Sequence, residues 1–212
     1  MDANRRKRNE LAAQRVIKGL ESRNMEGYYA QSKEEALKKA LELIPEGSSV
    51  GWGGSMSIKE MGLLDAVCSG NYTVYNRDTC KTPEEKRKTQ LQIFDSDYFV
   101  CSTNAITEEG VLVNVDGTAN RVACISWGPA NVIMIVGMNK LVKSVEDAVS
   151  RARHEAAPIN AQRFGLDTPC SRTGVCANCK SPDTVCCQVL VTRYSKEKGR
   201  IKVILVNDEM GF

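Results

Sequence analysis

Four cysteines in the last quarter of the chain have a spacing that suits metal binding. Five of the nine cysteines of the protein lie between Cys170 and Cys187. Four of them follow the pattern Cys170-x5-Cys176-x2-Cys179-x6-Cys186. The surrounding segment has almost no other apolar side chains, so burial of hydrocarbon cannot hold it in place. Four convergent thiolates are the donor set of structural zinc sites and of iron–sulfur clusters.

The spacing does not identify the metal. Zinc sites usually repeat the Cys-x-x-Cys element, and bacterial ferredoxins usually run Cys-x2-Cys-x2-Cys, and this segment matches neither. Cys187 could replace Cys186 as the fourth ligand because adjacent residues of a loop can exchange roles. Free or disulfide-paired cysteines are the alternative, and a reducing compartment disfavours the pairing. We expect an iron–sulfur cluster, with zinc as the alternative.

A glycine-rich turn is the first candidate for ligand binding. The run Gly51-Trp-Gly-Gly-Ser-Met-Ser57 lies between a predicted strand and a predicted helix. Glycines let the backbone approach a ligand closely, and the start of a helix offers unpaired N–H groups to an anion. Ser55 or Ser57 could add a hydroxyl. The run is neither a Walker loop nor a dinucleotide-binding turn, and a plain tight connection is an equal alternative.

A polar loop, Thr103 to Gly110, is the second candidate. It follows a predicted parallel strand, and ligands of open α/β sheets bind outside the carboxyl ends of such strands. Its paired acids, Glu108 and Glu109, could supply a general base or a nucleophile. Both could equally be solvated residues of a hairpin, an interpretation that we favour for Glu108.

The elements that would position these loops alternate between helix and strand. Predicted helices run from Asn4 to Met25, Ser32 to Ile44, Met56 to Val67, Pro83 to Ile93 and Ser144 to Asn160. Predicted strands run over 48–52, 72–75, 97–102, 111–115, 122–126, 132–136, 188–194 and 200–207, the last two as a hairpin. Alternation of strands with helices of this length predicts parallel β-α-β units. We divide the chain into an N-terminal helical segment, 1–31, and an α/β domain, 32–212, that includes the cysteine-rich loop 168–187.

Composition narrows the class of protein. The chain has 212 residues, 42% hydrophobic and 26% charged, as in an ordinary soluble globular protein. A net charge of +3 is too small to indicate nucleic-acid binding, and we interpret the run Arg5 to Arg8 as an exposed helix face. No signal peptide or membrane span is evident, so we expect a cytoplasmic protein.

Several longer runs together resemble the lactate-utilization (LUD) domain family, in particular its stand-alone bacterial members. The runs are Ser102-Thr-Asn-Ala-Ile-Thr-Glu-Glu-Gly-Val-Leu-Val-Asn-Val-Asp-Gly-Thr-Ala-Asn-Arg121, Trp127 to Gly137, the Gly53-Gly54-Ser55 turn and Ile201 to Phe212. The resemblance covers about residues 30 to 212. It implies an α/β fold, a mostly parallel sheet flanked by helices, related to ribose-5-phosphate isomerase, glucosamine-6-phosphate isomerase and CoA transferases.

The resemblance also implies site residues and a biological setting. Carried over, it points to ligand binding by Gly53, Gly54, Ser55, Met56, Asn104, Thr107 and Gly110, with Glu109 as the catalytic residue. Some members belong to operons that oxidise lactate to pyruvate with iron–sulfur partners. Short members of the family lack an internal cysteine cluster, which makes electron transfer more plausible here.

Two functions follow as hypotheses. The first is a redox component of 2-hydroxy-acid utilisation that carries a cluster and works with an iron–sulfur partner protein. The second is an isomerase- or transferase-like enzyme, or a non-catalytic module, that binds a small anionic ligand and holds a structural zinc. Whether the protein is an enzyme, which ligand it binds and whether it forms a homo-oligomer are left open by the sequence.

Overall fold

A computed structural model describes residues 1–212, and two β-sheets form its framework. The helices are α1 (Ala3–Glu21), α2 (Lys33–Glu42), α3 (Met56–Glu60), α4 (Leu63–Ser69), α5 (Pro83–Phe94), α6 (Asn120–Ser126), α7 (Val145–Arg151), α8 (Ala157–Arg163) and α9 (Pro169–Thr173). The strands are β1 (Glu26–Ala30), β2 (Ser49–Trp52), β3 (Thr73–Tyr75), β4 (Tyr98–Cys101), β5 (Ala105–Thr107), β6 (Leu112–Asp116), β7 (Asn131–Gly137), β8 (Leu141–Val142), β9 (Gln188–Thr192) and β10 (Ile201–Val206).

The larger sheet has six strands in the order β1-β10-β7-β4-β2-β3, and every neighbouring pair is parallel. Its central strands are continuous apolar runs, which is the pattern of strands covered on both faces. The α/β class with a mostly parallel sheet flanked by helices is therefore confirmed.

Alternate residues of the central strands supply two separate cores. On β7, Val132, Met134 and Val136 point into a core that includes residues of α1, α5 and α6. Ile133 and Ile135 point to the other face, where α2, α3 and α4 pack. Because successive side chains of a strand point to opposite faces, one apolar run can support both helical layers.

The smaller sheet has four strands in the order β8-β5-β6-β9. Strands β5 and β6 form a tight antiparallel pair, and β9 adds to β6 along five residues. Ala148 in α7 and Ala152 just beyond its end cover this sheet by packing against Ala105, Val113 and Val115. The smaller sheet thus lies beyond the carboxyl end of β4, and it carries the polar loop that the sequence singles out.

The prediction of a strand over 122–126 is wrong, because these residues lie in α6. Val122 and Ile125 are three positions apart and face the core on one side of the helix. A short apolar run is compatible with either period, so the sequence alone does not distinguish the two. The carbonyls of Cys124 and Ile125 accept hydrogen bonds from the guanidinium of Arg200, which ties the end of α6 to β10.

The prediction of a C-terminal hairpin is also wrong. Strand β9 pairs antiparallel with β6 in the smaller sheet, whereas β10 lies parallel between β1 and β7 in the larger one. The connection between them is held instead by the turn between α1 and β1, since Ser195 N donates to Arg23 O and Gly199 N donates to Asn24 O. Almost every residue of β10 is buried, which suits a central strand of a parallel sheet that is covered on both faces.

Other boundaries differ in smaller ways. The first 31 residues contain β1 as well as α1, and β1 is an edge strand of the larger sheet. The helix predicted over 56–67 is divided into α3 and α4 by Gly62, which has φ +75°. The helix predicted over 144–160 continues to Arg163 through a π-helical stretch, Ala152–Ala156. None of the helices combines the length and apolar character needed to cross a membrane.

Candidate functional site

A crevice opens at the carboxyl ends of β2 and β4. These two strands are neighbours in the larger sheet, but the chain leaves them toward different layers. After β2 it enters α3 and α4 on one face, and after β4 it enters the smaller sheet and then α6 on the other. Loops that separate in this way leave a cleft outside the sheet, the usual ligand position in α/β folds.

A small inner cavity of 40 Å³ lies in this crevice. Its walls come from the loops after β2, β4 and β7 and from α8: Gly54, Ser55, Met56, Ser102, Thr103, Asn104, Arg121, Lys140, Asn160, Arg163 and Phe212. Four of the loop residues, Ser102, Thr103, Asn104 and Lys140, are buried, so the cavity has polar walls within the protein. Polar side chains that converge on one cavity characterise a binding or catalytic site.

Lys140 is the most unusual residue of these walls, because its side chain is 2% exposed and contacts no carboxylate. Its Nζ lies 3.0 Å from the hydroxyl oxygens of both Ser57 and Ser102. Ser57 donates its own proton to the carbonyl of Met210, and Ser102 donates to the carbonyl of Thr103. Both hydroxyls therefore accept from the lysine, and the third position of the amine has no protein partner.

The surroundings of Lys140 favour its neutral form. Burial is the main cause that lowers the pKa of Lys140, and Arg151 and then Arg121 lower it further, whereas Glu60 and Cys101 raise it. The resulting pKa is about 7, against 10.5 for an ordinary lysine. A substantial fraction of the amine is then uncharged near neutral pH, as a general base or a nucleophile requires.

Arg121 organises the wall opposite. Its Nη1 donates to Ser102 O and Asn114 Oδ1, and its Nη2 donates to Asn104 Oδ1 and Val115 O. A Cβ at Gly53 would lie 3.0 Å from the side chain of Arg121, so the glycine leaves room for the guanidinium stem. This arginine is fully engaged by protein groups and positions the loops around the cavity.

A larger outer cavity of 530 Å³ adjoins the inner one. Both are lined by Gly54, Asn104, Arg121, Asn160 and Arg163. The outer walls carry five cationic side chains, Arg77, Lys86, Arg87, Arg121 and Arg163, and one acidic side chain, Asp116. The acid is already paired, because its Oδ2 lies 3.6 Å from Nε of Arg121. Of the other cations, Arg77 lies 3.5 Å from Asp78, which is outside the cavity lining, and Lys86, Arg87 and Arg163 have no carboxylate partner.

Arg163 shows the effect of this charge imbalance. Its guanidinium lies 4.2 Å from the ring centroid of Phe164 and donates to Asn160 Oδ1 at 2.9 Å. Burial lowers the pKa of Arg163, and the positive charge of Arg77 lowers it further. An anion between the two guanidinium groups would relieve this repulsion and accept charge-assisted hydrogen bonds.

Five of the seven sequence-predicted ligand residues lie in or directly behind this crevice. Gly54, Ser55, Met56 and Asn104 line the inner cavity, and Gly53 lies directly behind it against Arg121. Ser55 also caps α3, since its hydroxyl accepts from Ile58 N. The glycine-rich turn and the start of the polar loop are thus brought together.

The rest of the polar loop lies elsewhere. Thr107 is buried and its hydroxyl accepts from Val111 N, which closes the tight turn between β5 and β6. Gly110 has φ +81°, and its Cα packs against the end of α1. The side chain of Glu109 is 82% exposed, with its carboxylate 3.4 Å from Arg23, and it lines neither cavity. The turn between β5 and β6 therefore contacts α1 and lines neither cavity.

Of the predicted metal ligands, Cys170 lies in the short helix α9, and Cys176, Cys179 and Cys186 lie in the irregular segment that follows it, part of which borders the outer cavity. Burial and then the neighbouring Cys176 and Cys170 raise the pKa of Cys186 to about 11, whereas Arg153 lowers it. Across residues 1–212, no three histidine, cysteine or acidic side chains converge on one point that could hold a metal ion. The thiols of Cys170, Cys176 and Cys186 lie near one another, and thiols are suitable metal ligands. Their side chains are not arranged as a coordination site in this structure.

Sequence reasoning missed the basic half of the site. Lys140 follows the apolar strand β7 by three residues, so the carboxyl-end rule for parallel strands could have identified it. Arg77 follows β3 in the same way. Arg87 and Arg163 lie on helices whose polar faces carry other charges, and no local signal separates them from ordinary surface residues.

Comparison with known proteins gives one family and one fold. The profile described as the LUD domain matches residues 13–206. Comparison with curated proteins finds no match. The crystal structure of a DUF162 family protein from Deinococcus radiodurans is similar over 93% of this chain and 98% of that chain, with a TM-score of 0.53 and 13% identity. At this identity the likeness concerns the fold alone.

Two further solved structures are similar over part of their length. Ribose 5 phosphate isomerase A from Neisseria gonorrhoeae has a TM-score of 0.35 and 13% identity, over 53% of this chain and 54% of that chain. The eIF2B delta structure from Chaetomium thermophilum has a TM-score of 0.35 and 15% identity, over 68% of this chain and 57% of that chain.

Proposed function

Because the chain belongs to the LUD domain family, we propose that it serves the utilisation of lactate or related 2-hydroxy acids by binding a small anionic ligand in the outer and inner cavities. The observation that carries the proposal is the excess of cations around the outer cavity. Its lining has five cationic side chains and one acidic side chain, Asp116, which is already paired with Arg121. Guanidinium groups are the usual partners of carboxylate and phosphate in proteins.

The size of the space limits the ligand. A volume of 530 Å³ suits a small organic acid or a phosphorylated sugar, and the 40 Å³ inner cavity admits only one end of such a molecule. The ligand's acidic group would lie among Arg77, Arg87 and Arg163, and its other end would point toward Lys140. Carboxylate and phosphate are both compatible with these partners.

Calorimetric titration with pyruvate, lactate, inorganic phosphate and ribose 5-phosphate tests the proposal, with glycerol as a neutral control. Helix α5 offers a matched pair of variants, since Arg87 lines the cavity and the adjacent, exposed Lys88 does not. We expect Arg87→Gln to weaken the best anion about tenfold, the loss of about 1.4 kcal/mol for one charge-assisted contact. Lys88→Gln should leave the affinity within about twofold.

Two results would contradict anion binding. One is the absence of heat and of thermal stabilisation with every anion at millimolar concentration, because a ligand that binds the folded state must stabilise it. The other is an equal loss in the two variants, which would make the effect one of net charge and not of the cavity.

A second candidate function concerns the cysteine segment: electron transfer through an iron–sulfur cluster, or a zinc ion that fixes the loop. Cys176 and Cys170 raise the pKa of Cys186, so the three thiols lie near one another, and this proximity supports the candidate. Thiols that already lie close together need only small movements to share a metal. Val185 lines the outer cavity beside Gly117, so a metal in this segment would adjoin the anion site.

Anaerobic purification, with a visible spectrum and assays of iron, sulfide and zinc, tests this candidate. Stoichiometric iron and sulfide that are lost in Cys176→Ser but kept in Cys68→Ser would support electron transfer, since Cys68 lies on α4 outside the segment. Zinc alone would support a structural clip. A colourless protein without either metal would contradict both versions.

A further inference from the structure

Lys140 is buried, hydrogen-bonded to two hydroxyls and in contact with the inner cavity. The binding of an anion in the outer cavity does not explain this arrangement. Its amine lies at the inner end of the crevice, while the cations that suit an anion surround the outer end. A buried lysine is normally paired with a carboxylate, because an isolated charge is costly to desolvate. Here the two hydrogen-bond partners are neutral hydroxyls, of Ser57 and Ser102.

We propose that Lys140 is a nucleophile that captures a small anionic carbonyl compound, a 2-oxo acid or a phosphorylated aldehyde or ketone, as a reversible imine. The proposal rests on the anion binding proposed above and adds the reacting group of the ligand. The outer cations hold the acidic group, and the inner cavity admits the carbonyl end toward the unpartnered position of the amine. The lowered pKa of Lys140, to about 7, supports the presence of its neutral form.

The chemical step balances without an oxidant or a reductant. The nitrogen lone pair forms a C–N bond with the carbonyl carbon, and the C=O π pair moves to the oxygen. A proton passes from nitrogen to that oxygen, which gives a carbinolamine. The nitrogen then gives up its second proton, the oxygen takes that proton as the C–O bond breaks and water leaves, and the nitrogen lone pair completes the C=N bond. Addition of water reverses the sequence and restores the lysine.

The neighbouring hydroxyls suit these proton movements. Ser57 and Ser102 each touch the amine and each donate to a backbone carbonyl, so either can pass a proton to or from nitrogen. The titratable groups that act on the amine are Arg151 and Arg121, which favour its neutral form, and Glu60 and Cys101, which oppose them. No acid contacts the amine to hold it as an ammonium ion.

Reductive trapping tests the proposal on the intact protein. Cyanoborohydride delivers hydride to an imine carbon and fixes the ligand as a secondary amine on the lysine that formed it. The arms use pyruvate, dihydroxyacetone phosphate and, as a neutral carbonyl control, acetone, and peptide mapping locates the adduct. Lys143, exposed and three residues away, serves as an internal control in the same digest.

We expect near neutral pH an adduct of one carboxyethyl group from pyruvate, or the corresponding phosphorylated group, on Lys140 at more than about ten times the level on Lys143, and little from acetone. Labelling of Lys140 should level off above about pH 8, since the pKa of its amine is about 7. Lys140→Arg, which keeps a cation but cannot form the imine, should lose the adduct.

The two proposals fail in distinguishable ways. If the anions bind by calorimetry but Lys140 is unlabelled, or is labelled no more than Lys143, the imine proposal is overturned and anion binding stands. If no anion binds and no adduct forms, both are overturned. Should the Lys140→Arg variant fail to fold, the comparison of Lys140 with Lys143 in the wild-type digest still decides.

Discussion

At the scale of single residues, Lys140 and Arg121 divide the work of the crevice. Arg121 uses its guanidinium to join Ser102, Asn104 and Val115, so it holds the walls in place and has little capacity left for a ligand. Lys140 has two hydroxyl partners and a free third position. The first residue is thus a positioning group, and the second is available for chemistry.

The depressed pKa of Lys140 has a consequence for stability. Between about pH 7 and the ordinary lysine range, the unfolded chain binds a proton at this residue that the folded protein has released, so the free energy of unfolding rises with pH. The expected slope is up to about 1.4 kcal/mol per pH unit. Burial raises the pKa of Cys101 to about 12 and that of Cys124 to about 11, which reverses the trend at higher pH.

Denaturant unfolding at several values between pH 7 and 8.5 measures this slope. Lys140→Met removes the titrating amine, so the rise should become at least about 1 kcal/mol per unit shallower than in the wild type. Lys143→Met, at an exposed position, should keep the wild-type slope. Parallel slopes in all three proteins would show that Lys140 titrates like an exposed lysine.

At the scale of elements, the site depends on loops that follow parallel strands. The sequence predicted β2, β4 and β7 within a residue or two, because each is a short apolar run bounded by turn residues. The turn after β2 and Asn104 were accordingly identified. Strands β5 and β8, of three and two residues, were missed because their pairing comes from the tertiary structure and leaves no period in the sequence.

The turn between β5 and β6 gives a test of the sequence-based catalytic prediction. Glu109 contacts Arg23 at the end of α1 and lines neither cavity, so Glu109→Gln should leave anion affinity within about twofold. The free energy of unfolding should change by about 0.5 kcal/mol or less, as for an exposed ion pair. Calorimetry and denaturant unfolding beside Arg87→Gln supply the comparison. A loss as large as that of Arg87→Gln would return Glu109 to the site.

At the scale of the whole molecule, two sheets and the helices around them bring distant parts of the chain into one crevice. Arg77, Lys140 and Arg163 are separated by many residues and meet only because three strands end at the same edge and α8 returns across it. Hydrophobic periodicity predicts the layers, since each helix and strand carries its own pattern. It cannot predict which surface cations will face each other, and that is why the basic half of the site was not foreseen.

For the same reason, the sequence could not predict how the two C-terminal strands pair. The pattern over 188–207 predicts two strands and a turn, and both strands exist. Their separation into different sheets is decided by partners far away, β6 for one and β1 with β7 for the other. The cysteine segment just before them has no periodic pattern, and its metal remains a proposal.

A crystal structure of the protein with the anion that binds best by calorimetry would show where the ligand lies. The account predicts ligand density in the crevice, with the acidic group against Arg77, Arg87 or Arg163 and the other end toward Lys140. With a carbonyl ligand, density continuous with the lysine Nζ would show the imine itself. An ordered ligand bound away from this crevice, for example on the basic face of α1, would contradict the account.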